Sequence, residues 1–173
     1  MKFNVLVFIA ASSVVLNATE PSSSQHSPNL APIAFFTVHE WETQLPDTPD
    51  GKKKKIHAQF TWARNGQAIL ISNQFITDGK PSPYLDGLYA WDPRQRTIVF
   101  WYVGADGSLT TGTVKSEGAQ LVHNFQQTEL DGKTAEYVAR VTPHGTDSWE
   151  NEIFARSEKG LTSIVKVEYR AVP

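Results

Sequence analysis

Four histidines lie beyond the N-terminal segment, at His39, His57, His123 and His144. None is two residues from another, as a strand-borne metal pair would require, or four residues from another, as a helical pair would. His123 is the strongest candidate for chemistry, because Leu121 and Phe125 share its face of a predicted strand. Facing inward, it would serve as a general base or as an axial haem ligand. The alternative is a structural histidine that is hydrogen-bonded to a neighbour.

Carboxylates form two pairs at strand spacing, Glu40 with Glu42 and Glu150 with Glu152. Two close carboxylates can take different pKa values and share general acid–base work. Same-face carboxylates on a strand are also typical of a solvated outer surface. No nucleophile elbow, P-loop or dinucleotide-binding motif is present in the sequence. We therefore predict no catalytic residue, no metal ligand and no cofactor.

Aromatic residues with scattered polar groups offer a different chemistry, the lining of a small-molecule pocket. The alternative is that the aromatic side chains simply fill a core. The predicted lining consists of Trp62, Gln74, Tyr89, Trp91, Tyr102, His123, Asn151 and Tyr169. The elements that would position these side chains follow from the turn signals.

Turn signals recur at regular spacing from residue 46 to the C-terminus, among them Asn65-Gly66, Asp78-Gly79, Asp92-Pro93, Asp106-Gly107 and Asp131-Gly132. Asn-Gly and Asp-Gly between alternating segments are strong hairpin signals. The sequence predicts strands over residues 35–43, 54–64, 67–77, 84–92, 97–104, 108–115, 119–128, 134–142, 148–156 and 161–172. Short turns between ten strands indicate an antiparallel meander.

A meander of this length exposes two sheet edges unless it closes on itself. We therefore predict an all-β, closed, antiparallel up-and-down barrel of about ten strands. Alternation supports the two faces that closure requires, since Thr134, Glu136 and Arg140 oppose the face formed by Ala135, Tyr137, Ala139 and Val141. A barrel of this strand number is wide enough to enclose a cavity.

The segment Thr97–Val103 is apolar on both faces. Large bare apolar patches are rare on monomers, so its outer face is expected to be covered by the leader or a partner, or to form a homodimer surface. This is the one protein–protein contact that the sequence predicts.

The N-terminus indicates export. Lys2 precedes an apolar run over residues 3–16, and small residues follow it around Ala18, which is typical of a signal peptide. We predict a signal peptide over residues 1–18, a flexible leader over 19–34 and one domain over 35–173, periplasmic or secreted. The run is too short to span a bilayer, so no membrane span is expected after cleavage. Cysteine is absent, and a net charge of −2 gives no reason to expect nucleic acid as a partner.

Several runs together resemble the DUF1579 family, bacterial proteins of unassigned function. The runs are residues 66–70, 78–81, 87–93, Trp101-Tyr102 and 167–173. The resemblance covers about residues 35–173 and implies a lipocalin-like (calycin) barrel. It implies no catalytic or binding residue.

The function predicted from the sequence is non-catalytic binding of a small apolar or amphipathic molecule inside the barrel. Two alternatives stay open. One is a barrel hydrolase or isomerase that uses His123 with an inward carboxylate, and the other is a haem-binding barrel with His123 as axial ligand.

Overall fold

Ten antiparallel strands close into a single barrel in the computed structural model, which describes residues 26–48 and 50–172. Each strand pairs with its sequence neighbours, and β1 pairs with β10 to complete the ring. The strands are β1 Trp41–Gln44, β2 Lys54–Trp62, β3 Ala68–Thr77, β4 Lys80–Asp92, β5 Thr97–Gly104, β6 Leu109–Glu117, β7 Gln120–Thr128, β8 Thr134–His144, β9 Ser148–Ser157 and β10 Gly160–Ala171. The predicted ten-stranded up-and-down barrel is confirmed.

The turns form where the sequence predicts them. The Asp92 carboxylate accepts hydrogen bonds from the backbone N–H groups of Arg94, at 2.8 Å, and Gln95, at 3.1 Å. Gly107 adopts φ 82°, which favours glycine, and a Cβ there would lie 2.9 Å from the Leu130 side chain. The turn at Gly107 therefore favours glycine because of its backbone conformation, whereas the exposed Leu130 side chain could move away from an added Cβ.

The chain enters the barrel through a 3₁₀ helix, η1, Pro28–Val38. Leu30, Ile33 and Phe36 recur at the three-residue period of this helix and are completely or almost completely buried. Residues 28–34 of the predicted flexible leader are therefore part of a helix. The predicted first strand is wrong over 35–40, because β1 begins at Trp41. The polar and proline-rich composition suggested a solvated segment, but one apolar face is enough to seat this helix against the barrel.

Helix η1 closes one end of the barrel. It contacts β2, β3 and β4, and the Ser27 N–H donates to the Gly66 carbonyl at 2.8 Å in the turn between β2 and β3. The Phe36 ring stacks on Phe60, with ring centroids 4.7 Å apart, and meets Trp149 edge-on at 5.1 Å. Phe36 thus forms the floor of the barrel interior.

The outer face of β5 is not covered by η1. Trp101 and Val103 are 42% and 55% exposed, and Leu70 and Leu88 lie in register beside Trp101 on β3 and β4. The expectation that the leader covers this face is wrong for the described part of the leader, which lies at the barrel end. The homodimer through Thr97–Val103 stays a prediction.

Two predictions concern the N-terminus. The signal peptide over residues 1–18 lies outside the described residues and stays a prediction. No helix in the described part of the chain has the length and hydrophobicity to cross a membrane.

Replacing Phe36 tests whether η1 is part of the folded core. We expect Phe36→Ala to lower the free energy of unfolding by about 3–5 kcal/mol, because it removes a buried ring and leaves a cavity. Val38→Ala is the matched control on the same helix, since Val38 is 59% exposed, and should change stability by less than about 0.5 kcal/mol. Urea unfolding monitored by tryptophan fluorescence measures both, and equal stabilities would show that η1 does not contribute to the core.

Candidate functional site: the barrel cavity

A cavity of about 740 Å³ occupies the barrel interior above Phe36. All strands except β1 contribute to its walls, together with Leu45 after β1 and with Ala105, Asp106 and Ser108 in the turn between β5 and β6. The apolar and aromatic lining includes Phe36, Ile56, Phe60, Ile71, Phe75, Leu85, Phe100, Phe125, Tyr137, Ala139, Val141, Ile153, Val165 and Val167. Strand alternation places these side chains inward, since every second residue faces the interior.

Charge is confined to the open end of the cavity. Among the described lining residues, Lys54 and Asp106 carry the formal charges, and both lie at the end opposite η1, where β2 begins and β5 ends. The Lys54 ammonium sits 3.7 Å from the centroid of the Phe75 ring, and Asp106 accepts from the Ser108 N–H and hydroxyl. A molecule inside the barrel would therefore meet neutral walls below a charged rim.

Three polar side chains from different strands form one hydrogen-bonded chain. The Tyr102 hydroxyl donates to the Tyr89 hydroxyl at 2.5 Å, and the Tyr89 oxygen lies 3.1 Å from Nε2 of His123. The His123 ring packs edge-on against Tyr89 and Phe100, with centroids 5.8 Å and 5.4 Å away. We call this set the Tyr–Tyr–His chain.

Burial sets the protonation states in this chain. Burial lowers the pKa of His123 to about 4, and the nearby Leu121 backbone carbonyl offsets the effect only in part. Burial also raises the pKa values of Tyr89 and Tyr102, and for Tyr102 the neighbouring tyrosines add to the effect. At neutral pH His123 is uncharged and both tyrosines are protonated.

In neutral His123 one ring nitrogen donates and the other accepts, so the direction of these hydrogen bonds depends on which nitrogen carries the proton. Tyr89 accepts from Tyr102, so we assign the Tyr89 proton to His123 Nε2, its acceptor among the described residues. The ring proton of neutral His123 is then on Nδ1, which makes no hydrogen bond to the protein. Nε2, the nitrogen farther from the backbone, is engaged and not free to bind iron. An axial bond from Nε2 to haem iron would require that the hydrogen bond to Tyr89 is broken.

An acid–base pair with His123 is likewise not formed by the described residues. Asp106 is the one carboxylate in the described lining, and it is held at the rim by Ser108. Glu40 and Glu42 lie outside the cavity beside His57, 3.2 Å and 3.6 Å from its ring nitrogens. The other predicted pair, Glu150 and Glu152, binds Lys166 at 3.0 Å and 3.7 Å. Both pairs belong to outer-surface ion pairs.

Further polar groups line the cavity without partners in the protein. They are Asn73 Oδ1, Asn151 Oδ1, Trp149 Nε1 and His123 Nδ1. A buried polar atom without a hydrogen bond costs about 1–3 kcal/mol. These atoms have less than 1 Å² of accessible surface each, so a bound molecule could pair with one only after the side chain turns toward the cavity.

Five of the eight predicted lining residues face the cavity: Tyr89, Tyr102, His123, Asn151 and Tyr169. Trp62 and Trp91 have the inward position on β2 and β4. They lie at the ends of these strands, beside η1, and pack against the core there. Trp62 also stacks on His26, with ring centroids 4.1 Å apart. Gln74 is exposed, because the inward residues of β3 are Ile71, Asn73 and Phe75.

Sequence reasoning missed Asn73, Phe75, Tyr84 and Phe36 in the lining. Asn73 and Phe75 continue the alternation that begins at Ile69 and Ile71, and that pattern would have identified them. Tyr84 is displaced by a register shift between β3 and β4, which alternation alone does not reveal.

No group of three or more His, Cys, Asp and Glu side chains placed to hold a metal ion occurs within the described ranges. The chemistry that the cavity offers is hydrogen bonding by neutral groups within apolar walls.

The fold and its cavity define a calycin-like, closed antiparallel barrel. The crystal structure of Rv2717c from M. tuberculosis is similar to this chain, with a TM-score of 0.58 over 86% of this chain and 100% of that chain. The two sequences are 12% identical, so the similarity shows the fold alone. No family model matches the sequence, and no curated protein matches it.

The pKa of His123 predicts a pH-dependent stability. The unfolded chain binds a proton at His123 below its ordinary pKa of 6.5, whereas the folded state binds it only near pH 4. Stability from this group is therefore present above pH 6.5 and is lost as the pH falls from 6.5 toward 4, by about 2 kcal/mol between pH 7.5 and pH 5. In His123→Gln this loss should be absent.

Urea unfolding at the two pH values measures the difference. His144→Gln is the control, because His144 is exposed, and it should retain the wild-type loss. An equal loss in wild type and His123→Gln would contradict the burial of a neutral histidine.

Proposed function

We propose that this protein is a non-catalytic barrel that binds one small apolar or amphipathic molecule in its interior. The observation that carries this proposal is the cavity of about 740 Å³ inside the barrel, above Phe36 and open at the other end. This volume lies within the range of about 300–1,000 Å³ that is usual for small-molecule sites.

The lining supports a ligand with an apolar body. Aromatic and aliphatic side chains supply most of the walls, and a few neutral polar groups such as Asn151 and the Tyr–Tyr–His chain are placed among them. Sites of this composition gain affinity from apolar burial and orientation from a small number of hydrogen bonds. The part of the ligand held below the rim is uncharged, because an unpaired buried charge is strongly unfavourable.

Binding is favoured over catalysis by how His123 is held. Its Nε2 is engaged by Tyr89, and its low pKa makes it a weak base. Hydrolysis or isomerisation would need a base of matched pKa within reach of the reacting atom. The hydrogen-bonded, uncharged histidine is better suited to orienting a ligand.

Export belongs to the same proposal. Lys2, the apolar run over residues 3–16 and the small residues around Ala18 support a cleaved signal peptide, so that the barrel works in the periplasm or outside the cell. Membership of the DUF1579 family is also proposed, on the turn and strand residues that resemble it.

A neutral fluorescent probe, N-phenyl-naphthylamine, tests cavity binding directly. We expect it to bind the purified protein with one site per chain, measured by its fluorescence increase and by calorimetry. Val167→Trp fills part of the cavity, because Val167 lines it, and should weaken binding about tenfold, a change of about 1.4 kcal/mol.

The control places the same indole on the outer face of the same strand. Glu168 is the exposed neighbour of Val167 on β10, so Glu168→Trp should bind the probe as wild type does. Circular dichroism confirms that both variants are folded. Equal weakening in both variants, or a probe that does not bind to wild type, would contradict an interior site.

A further inference from the structure

We propose that the ligand carries a neutral hydrogen-bond donor, a hydroxyl group, at its buried end, and that this hydroxyl donates to the phenolic oxygen of Tyr102. The chemical class is a neutral alcohol or phenol with an apolar body. This inference rests on the proposed function and adds the polarity of the ligand to it.

The direction of the Tyr–Tyr–His chain supplies the reason. Tyr102 donates its one proton to Tyr89, and in the assigned His123 tautomer Tyr89 donates its proton to Nε2. A phenolic oxygen has two lone pairs and one proton. The Tyr102 oxygen therefore presents only acceptor capacity to a ligand.

Tyr102 is the member of the chain that a ligand can reach. Tyr89 and His123 are 3% and 4% exposed, whereas Tyr102 is half-buried and lines the cavity.

The donor must also be uncharged. An ammonium group would need a carboxylate beside it, and the described lining has its single carboxylate, Asp106, at the rim. A carboxylate head has no proton to donate at neutral pH. A hydroxyl satisfies both conditions, because it donates one hydrogen bond and carries no charge.

The walls between Tyr102 and the mouth determine the rest of the molecule. The apolar residues that line the cavity include Phe75, Leu85, Phe125 and Val165. An aliphatic chain or an aromatic ring system would bury apolar surface against them at about 25 cal/mol per Å². Any charged or strongly polar group of the ligand would remain near Lys54 and solvent.

Two isomeric competitors separate the hydroxyl from the hydrocarbon. Undecanol and decyl methyl ether have the same atoms, but only the alcohol donates a hydrogen bond. Each is titrated against bound N-phenyl-naphthylamine. For the wild-type protein, we expect the inhibition constant of the alcohol to be about fivefold to tenfold lower than that of the ether. This ratio corresponds to the net free energy of one hydrogen bond inside a protein.

Tyr102→Phe removes the acceptor and should reduce this preference for the alcohol to less than about twofold, while the ether competes as in wild type. Thr111→Val is the control, because it also removes a hydroxyl group but Thr111 is exposed and does not line the cavity. This variant should keep the wild-type preference.

The outcomes distinguish this inference from the proposed function. If the probe binds but wild type does not prefer the alcohol, or if Tyr102→Phe keeps the preference, the hydroxyl inference is wrong and interior binding stands. If the probe does not bind at all, the proposed function is wrong and the inference falls with it.

Discussion

Trp41 joins the two events that make an interior possible, closure of the barrel and sealing of one end. Its backbone pairs β1 with Ala171 of β10 on one side and with Ala58 of β2 on the other. Its buried indole N–H donates to the Phe36 carbonyl at 2.7 Å, which ties η1 to the closing strand. Strand β1 has only four residues, so these contacts stabilise the place where the first and last strands meet. Because Trp41 both pairs with the last strand and holds η1, the barrel is closed around its side and at one end.

The sealed floor explains how polar groups are distributed inside. At the open end Lys54 and Asp106 keep access to solvent, and their charges are tolerated there. Toward the floor the dielectric is low, so the polar side chains are neutral and hydrogen-bonded in sequence, as Tyr102, Tyr89 and His123 are. The lining of the cavity thus changes from charged at the open end to neutral in the interior. A molecule whose inserted end is polar but uncharged matches this distribution.

The fold was accessible from the sequence because its information is local. Asp-Gly and Asn-Gly turns and alternating strands specify pairing between neighbouring strands. In a meander of ten such strands, pairing the first strand with the last leaves no exposed sheet edge. The site was accessible in part: alternation placed His123 and Tyr169 inward. Trp62 and Trp91 also had inward positions, but η1 occupies that end, and its three-residue period was hidden by the prolines around Leu30 and Ile33. Which residues share a cavity depends on this non-local packing.

The histidine at the far end of the Tyr–Tyr–His chain determines what the near end can bind. A protonated His123 would donate from Nε2, and Tyr89 would then have to direct its own proton elsewhere. Burial prevents this at neutral pH, since it lowers the pKa of His123 to about 4. With its one ring proton assigned to Nδ1, the neutral ring accepts from Tyr89 at Nε2, and Tyr102 is then an acceptor toward the cavity. In this way His123, which a ligand does not reach, determines whether the group that the ligand contacts donates or accepts a hydrogen bond.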